Sequence, residues 1–289
     1  LAALGLAAGA VLSAALVAAF APKRVKAPTA AKEDELIDGS ILVMTPTLTA
    51  RDLRQVAPDL RDPSGVVVSA PESLFAQCAR MVAARMARWR AGEAGTSVAF
   101  ISAAPREGAS SVALAVSRSL ALAGRRVVLV DADVRGRTIS GMLEMQEGRG
   151  LWTALDAIGA GQPIAPEQHL APDSYTGLMV LPQSEGWSPM REVYAHPGYA
   201  DLLAALKQRF DHVIVDCSPV GLVDGRMTAA QADAVVIVTR WDGTLARHLS
   251  IAQKGLQQLG GVLPGVIVNG ASEGAVRRWL AKSDHDAAQ

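Results

Sequence analysis

The chain has 289 residues, with 28 basic and 28 acidic side chains and 50% hydrophobic residues. That length and apolar content suffice for one sizeable core plus additional segments. Zero net charge argues against a nucleic-acid binder, which would present a basic face. The two cysteines, Cys78 and Cys217, form neither a metal-ligand spacing nor a disulfide framework, as in a reducing compartment.

Residues 1–22 carry no charge and are almost wholly apolar, enough to cross a bilayer as one helix. Lys23, Arg24 and Lys26 follow, and the positive-inside tendency puts everything after them in the cytoplasm. A signal peptide is the rival reading, but its basic residues would precede the apolar stretch. The first residue is Leu, not Met, which suggests an upstream segment on the far side of the membrane. The expectation is thus a transmembrane helix over 1–22, a cytoplasmic linker over 23–69 and a globular domain over 70–289, held at the inner membrane. The linker is rich in Pro, Thr, Ala and Asp, with one short strand at 41–43.

In the globular part, Leu74, Phe75, Cys78, Met81, Val82 and Met86 recur at helical spacing. Short apolar runs then alternate with helical ones. Strands are predicted at 98–101, 127–130, 178–181, 213–215, 234–239 and within 262–268. Helices are predicted at 112–123, 199–209 and 249–259. Strands apolar on both faces, alternating with helices, indicate an α/β fold with a mostly parallel sheet flanked by helices. Ligands of such sheets bind beyond the carboxyl ends of the strands. The polar residues there are Ser102, Asp131, Asp133, Asp216, Asp242 and Asn269, which should converge on one edge.

Three segments carry chemistry. Residues 103–111 read AAPREGASS between a strand and a helix, the setting of a P-loop. In the pattern G-x-x-x-x-G-K-[ST], Gly108 is the second glycine and Ser110 the hydroxyl that would ligate Mg²⁺, but Ala109 stands where lysine belongs. Arg106, Glu107, Gly108, Ala109, Ser110 and Ser111 are the candidate nucleotide-binding residues. Backbone amides opening a helix attract an anion without side-chain charge. The second segment, VVLVDADVRGR, places Asp131 and Asp133 just after a buried strand, where they could hold a metal's water shell or orient a hydroxyl for attack on phosphate. The third, FDHVIVDCSP, ends a strand at Asp216, as in an Mg²⁺-supporting Walker B element. Ser110, Asp131 and Asp216 are therefore the candidate metal ligands.

The order and wording of these segments resemble bacterial tyrosine kinases, the cytoplasmic domains of polysaccharide co-polymerases. The matching words are SAAPREGASS, VDADVRGR and FDHVIVDCSPV with Asp224, followed by ADAVVIVTRWDGT and GVLPGVIVNG. The resemblance implies a P-loop NTPase-like fold, ATP or ADP with Mg²⁺, homo-oligomers, and polysaccharide polymerase and export machinery as partner. It implies that Asn269 lies where relatives hold the base, and that the apolar stretch at 1–22 matches a co-polymerase membrane helix. Several departures weaken the implied kinase activity. Arg106 replaces the family's loop glycine and Ala109 its lysine. Phe75 and Cys78 stand where the ring-assembly motif E-x-x-R-x-x-R would have arginines after Glu72, and the Tyr-rich tail is absent. The reading is a kinase-like, catalytically impaired domain acting in exopolysaccharide or capsule biosynthesis, chain-length control and export. The alternative is an active autokinase or ATPase with Arg106 in place of lysine.

Overall fold

The computed structural model describes residues 41–55, 62–89, 94–145, 148–163, 165–184, 191–241, 245–260, 262–263 and 265–286. Eight strands form one sheet: β1 (Ile41–Pro46), β2 (Thr96–Ser102), β3 (Val127–Ala132), β4 (Ala171–Pro172), β5 (Met179–Leu181), β6 (His212–Cys217), β7 (Ala234–Arg240) and β8 (Gly265–Ala271). Their spatial order is β1-β8-β7-β2-β6-β3-β5-β4. All neighbours pair in parallel except β4 with β5. Every residue of β2, β3 and β6 is buried, because helices cover both faces of the sheet. That is why these strands read as unbroken apolar runs rather than alternating ones.

The helices are α1 (Ala50–Gln55), α2 (Val66–Ser69), α3 (Leu74–Met86), α4 (Ala109–Leu122), α5 (Thr138–Met142), α6 (Leu151–Gly159), α7 (Tyr199–Arg209), α8 (Val223–Ala229), α9 (Leu245–Gln257) and α10 (Glu273–Asp286). Helix α3 starts at Ser73, whose hydroxyl accepts from the Ala76 amide at 3.2 Å. Its apolar stripe places Phe75, Cys78, Val82 and Met86 in the core. Phe75 and Cys78 are 4% and 0% exposed, so the two positions expected to carry the ring-assembly arginines point into the domain.

Two sequence expectations are corrected. No helix among the described residues is long and apolar enough to cross a membrane, and residues 1–22 lie outside the described residues. The described residues therefore form an α/β domain without a membrane-spanning helix, and the inner-membrane placement and the membrane as partner are withdrawn. The expected linker over 23–69 is also too long. Strand β1 pairs with β8, from Ile41 opposite Val266 to Pro46 opposite Ala271. Residues 62–69 form a 3₁₀ turn and α2, whose Val66 and Val67 pack with Phe75, Ala76, Ala79 and Ala115.

One buried cluster ties that segment to the domain. Arg118, in the middle of α4, is fully buried. Its guanidinium donates to Asp62 at 2.9 Å, to Asp173 at 2.9 Å and to Ser64 at 2.9 Å. The two carboxylates hold the Arg118 charge against the cost of burial. Removing one member leaves an uncompensated buried charge. We expect Arg118→Met to lower stability in urea unfolding by about 3–5 kcal/mol. A loss well below that would mean that residues 62–65 are not anchored through this cluster.

Candidate phosphate-binding site

Strand β2 ends at Ser102 and α4 begins at Ala109, so residues 103–108 form the connecting loop. Gly108 caps the helix with φ +89, in the left-handed region that glycine occupies without strain. A Cβ there would meet the Asn269 amide nitrogen at 2.4 Å. That close approach exists because Asn269, near the end of β8, donates to the Glu107 carbonyl at 2.9 Å while its own oxygen accepts from Thr45 at 2.7 Å. No side chain caps α4, so the first amides of the helix have no capping partner and retain their attraction for an anion.

Arg106 is exposed and has φ +66, a conformation that costs a non-glycine residue about 1–2 kcal/mol. Ala109 is 6% exposed and presents only a methyl group where a lysine would reach the phosphates. Glu107 turns inward and is buried. Its Oε2 accepts from the Ala104 amide at 2.7 Å, and its Oε1 lies 3.4 Å from the Thr239 hydroxyl and 3.3 Å from His248 Nδ1. Burial raises its pKa, and the Ala104 and His248 hydrogen bonds oppose that rise. Glu107 thus braces the loop from behind, a role that its place in a polar loop motif did not reveal.

Beyond the loop, β3 and β6 pair so that Asp131 lies opposite Asp216. Both are fully buried. Asp131 Oδ2 accepts from the Ser140 amide at 2.8 Å and from the Ser140 hydroxyl at 2.6 Å, but its Oδ1 has no partner. Burial pushes the Asp131 carboxyl up to about 6. Neither Asp216 oxygen has a hydrogen-bond partner. Burial first, then the charge of Asp131, raises its pKa well above the carboxylate range, with the neighbouring Ser110 hydroxyl pulling the other way. Asp133 is differently placed. It accepts from Ser218 at 2.6 Å and from Thr138 at 3.3 Å, which makes it part of the turn after β3. Asp224 is held by Arg135 at 3.3 Å, and Asp242 lies outside the described residues.

Ser110, Asp131 and Asp216 offer the hard oxygen donors that suit Mg²⁺, and the orphaned Asp216 oxygens are the kind of group that a cation satisfies. Among the described residues, no three His, Cys, Asp or Glu side chains converge as a metal cage. Mg²⁺ does not require one, because it keeps waters and takes phosphate oxygens.

On the other side of the loop, a cleft of about 190 Å³ continues from Gly108 and Ser111 to Arg106, Arg240, Asn269 and Thr47. The predicted residues therefore fall into two groups around one helix head. Asp131, Asp216 and Ser110 lie on one side, and Arg106, Ser111 and Asn269 on the other. Arg240, which the sequence did not single out, joins the second group. Its only sequence signal was its place at the end of a buried strand.

A parallel sheet whose central strand runs through a glycine-capped loop into a helix, with acidic strand ends beside it, defines a P-loop NTPase-like domain. A scan against models of known protein families finds no match. The chain is 30% identical over 231 residues to the succinoglycan biosynthesis transport protein ExoP of Rhizobium meliloti (strain 1021), a match covering 78% of this chain and 28% of ExoP. It is 28% identical over 174 residues to the tyrosine-protein kinase CpsD of Streptococcus pneumoniae, covering 60% of this chain and 74% of CpsD. The kinase domain of Escherichia coli tyrosine kinase ETK shares the fold, with a TM-score of 0.66 at 20% identity, covering 86% of this chain and 96% of that domain. The chain is similar in sequence and fold to the bacterial tyrosine kinase-like P-loop NTPases, a kinship these matches support well. It spans little more than a quarter of the length of ExoP. That kinship supports weak ATP and Mg²⁺ binding.

The buried acids give a pH test. A carboxyl whose folded pKa lies above its unfolded value carries no penalty when protonated in both states; the cost builds as pH rises from the unfolded to the folded pKa and is fully present above the folded one. For Asp131 the shift runs from 3.8 to about 6, equivalent to roughly 3 kcal/mol at most. We expect Asp131→Asn, whose oxygen can keep the Ser140 bonds, to raise the melting temperature at pH 7.5. The gain should shrink through pH 6 and vanish near pH 4. A gain that is constant with pH would show that ionisation of this residue is not the cost.

Proposed function

We propose that this chain is the kinase-like domain, impaired in phosphoryl transfer, of a machine that makes an extracellular polysaccharide, sets its chain length and exports it. The observation that carries the reading is the contrast at the head of α4. Gly108 keeps the left-handed cap and the helix has no side-chain cap, while buried Ala109 replaces the cation. The assignment to polysaccharide synthesis and transport draws on ExoP, which is named for succinoglycan.

In this reading, the amides from Gly108 to Ser111 bind phosphate oxygens and orient the chain of phosphates. Glu107, Asn269 and Thr45 hold the loop in shape. Ser110 and Asp216 are the residues that would hold Mg²⁺, and the ion would supply charge neutralisation to the phosphates. Asp131 and Asp133 are the carboxylates this reading assigns to orienting a hydroxyl for attack. Asp131 is tied to Ser140 and Asp133 to Ser218 and Thr138, which fixes both carboxylates. Phosphoryl transfer depends on electrostatic stabilisation, and loss of one preorganised donor slows such chemistry about 10²–10³-fold. Nucleotide therefore serves as a structural ligand, with turnover a residual property.

Two substitutions test the reading together. Ala109→Lys should tighten ATP binding by about one to two decades, the weight of a charge-assisted hydrogen bond, and should raise ATP turnover. Gly108→Val should abolish binding, because its side chain collides with Asn269 in a disallowed backbone conformation. Calorimetric titration with ATP and Mg²⁺ decides. Wild-type turnover equal to that of the lysine variant would overturn the impaired-kinase reading in favour of an active enzyme.

A further inference from the structure

We infer that this chain supplies the cation of its phosphate site from Arg106 and Arg240, on the cleft side of the loop, and that the site consequently takes a nucleoside diphosphate at least as well as a triphosphate. The inference rests on the nucleotide reading above and names the ligand form and the side chains that hold it.

The charges around the head of α4 are divided. The cleft beside Gly108 and Ser111 is lined by Arg106 and Arg240, with Asn269 and Thr47 between β1 and β8. Its one carboxylate, Glu107, is engaged away from the opening by Ala104, Thr239 and His248. Among the described residues neither arginine has an ion pair. Two guanidiniums on one cleft repel each other, and a phosphate that bonds to both removes the repulsion and uses their planar donor geometry. On the far side of the helix head, beyond Ser110, lie Asp216 and Asp131 with three oxygens unpartnered. A terminal phosphate reaching that side meets carboxyl oxygens instead of donors, with only the methyl group of Ala109 where a lysine would have stood. The arrangement therefore favours the phosphates nearest the nucleoside and gains nothing from a third.

The strained backbone of Arg106 makes the inference separable from folding. At φ +66 glycine is unstrained, so Arg106→Gly should raise the melting temperature while removing one guanidinium. The experiment titrates the 289-residue chain with ADP and with ATP in excess EDTA, using wild type, Arg106→Gly, Arg240→Gln and Ala109→Lys. Wild type should bind ADP as tightly as ATP or tighter. Each arginine variant should weaken ADP about ten-fold, Arg106→Gly doing so despite greater stability. Ala109→Lys should turn the preference towards ATP. If both arginine variants bind ADP within about two-fold of wild type, or wild type prefers ATP by about ten-fold, the inference is overturned while the nucleotide reading stands. If neither nucleotide binds wild type or Ala109→Lys, that reading falls and the inference falls with it.

Discussion

Two carboxylates buried side by side constrain this domain more than any other feature. Parallel pairing of β3 with β6 brings Asp131 opposite Asp216 at the strand ends, and water is excluded from both. Like charges so placed cannot both ionise freely, and burial adds to the cost. Ser140 offsets part of it for Asp131, and the Ser110 hydroxyl favours the ionised form of Asp216. What remains is an edge that attracts a cation, beside a loop from which the expected cation is missing. The division of charge around the head of α4 follows from this pair.

Helix α4 carries both the site and a main stabilising contact. Its first turn forms the amide nest, and Arg118 at its middle is closed off by Asp62 and Asp173. The two buried ionic groups are treated oppositely. Arg118 has partners on both sides of its guanidinium, whereas the acids at the strand ends have unpartnered oxygens. A saturated cluster fixes the helix in place, and an unsaturated one leaves interaction energy available to a ligand. The loop is braced independently by Glu107 from within and Asn269 from β8. Its shape therefore survives the exchange of glycine for Arg106 and of lysine for Ala109.

Much of this was legible in the sequence, for a definite reason. Strands covered on both faces must be apolar throughout, so β2, β3, β6 and β7 stand out as continuous runs ending in polar residues. The short strand read at 41–43 lies within β1, but its sequence gave no sign that it would add to the sheet beside β8 and bring residues 62–69 into the core. Arg118 falls within the helix predicted at 112–123, and nothing local marks it as buried. Its partners lie 56 and 55 residues away, and no local spacing announces them. Glu107 read as a candidate nucleotide-binding residue of the loop, and its bracing role was hidden because its partners Thr239 and His248 come from a strand and a helix far along the chain. The membrane helix was inferred from composition alone, and no described helix takes that part.

The residue types along the chain determined the α/β class, the sequence of loop and acidic strand ends, and the absence of lysine at position 109. These follow from local chemistry: apolar periodicity sets the elements, and a missing side chain is missing in any fold. Tertiary structure alone decided which acids meet, which arginine is buried and which two guanidiniums share a cleft. Those outcomes depend on strand order and register, which bring together side chains separated by tens to more than a hundred residues, and burial then converts their proximity into shifted protonation and unsatisfied bonds.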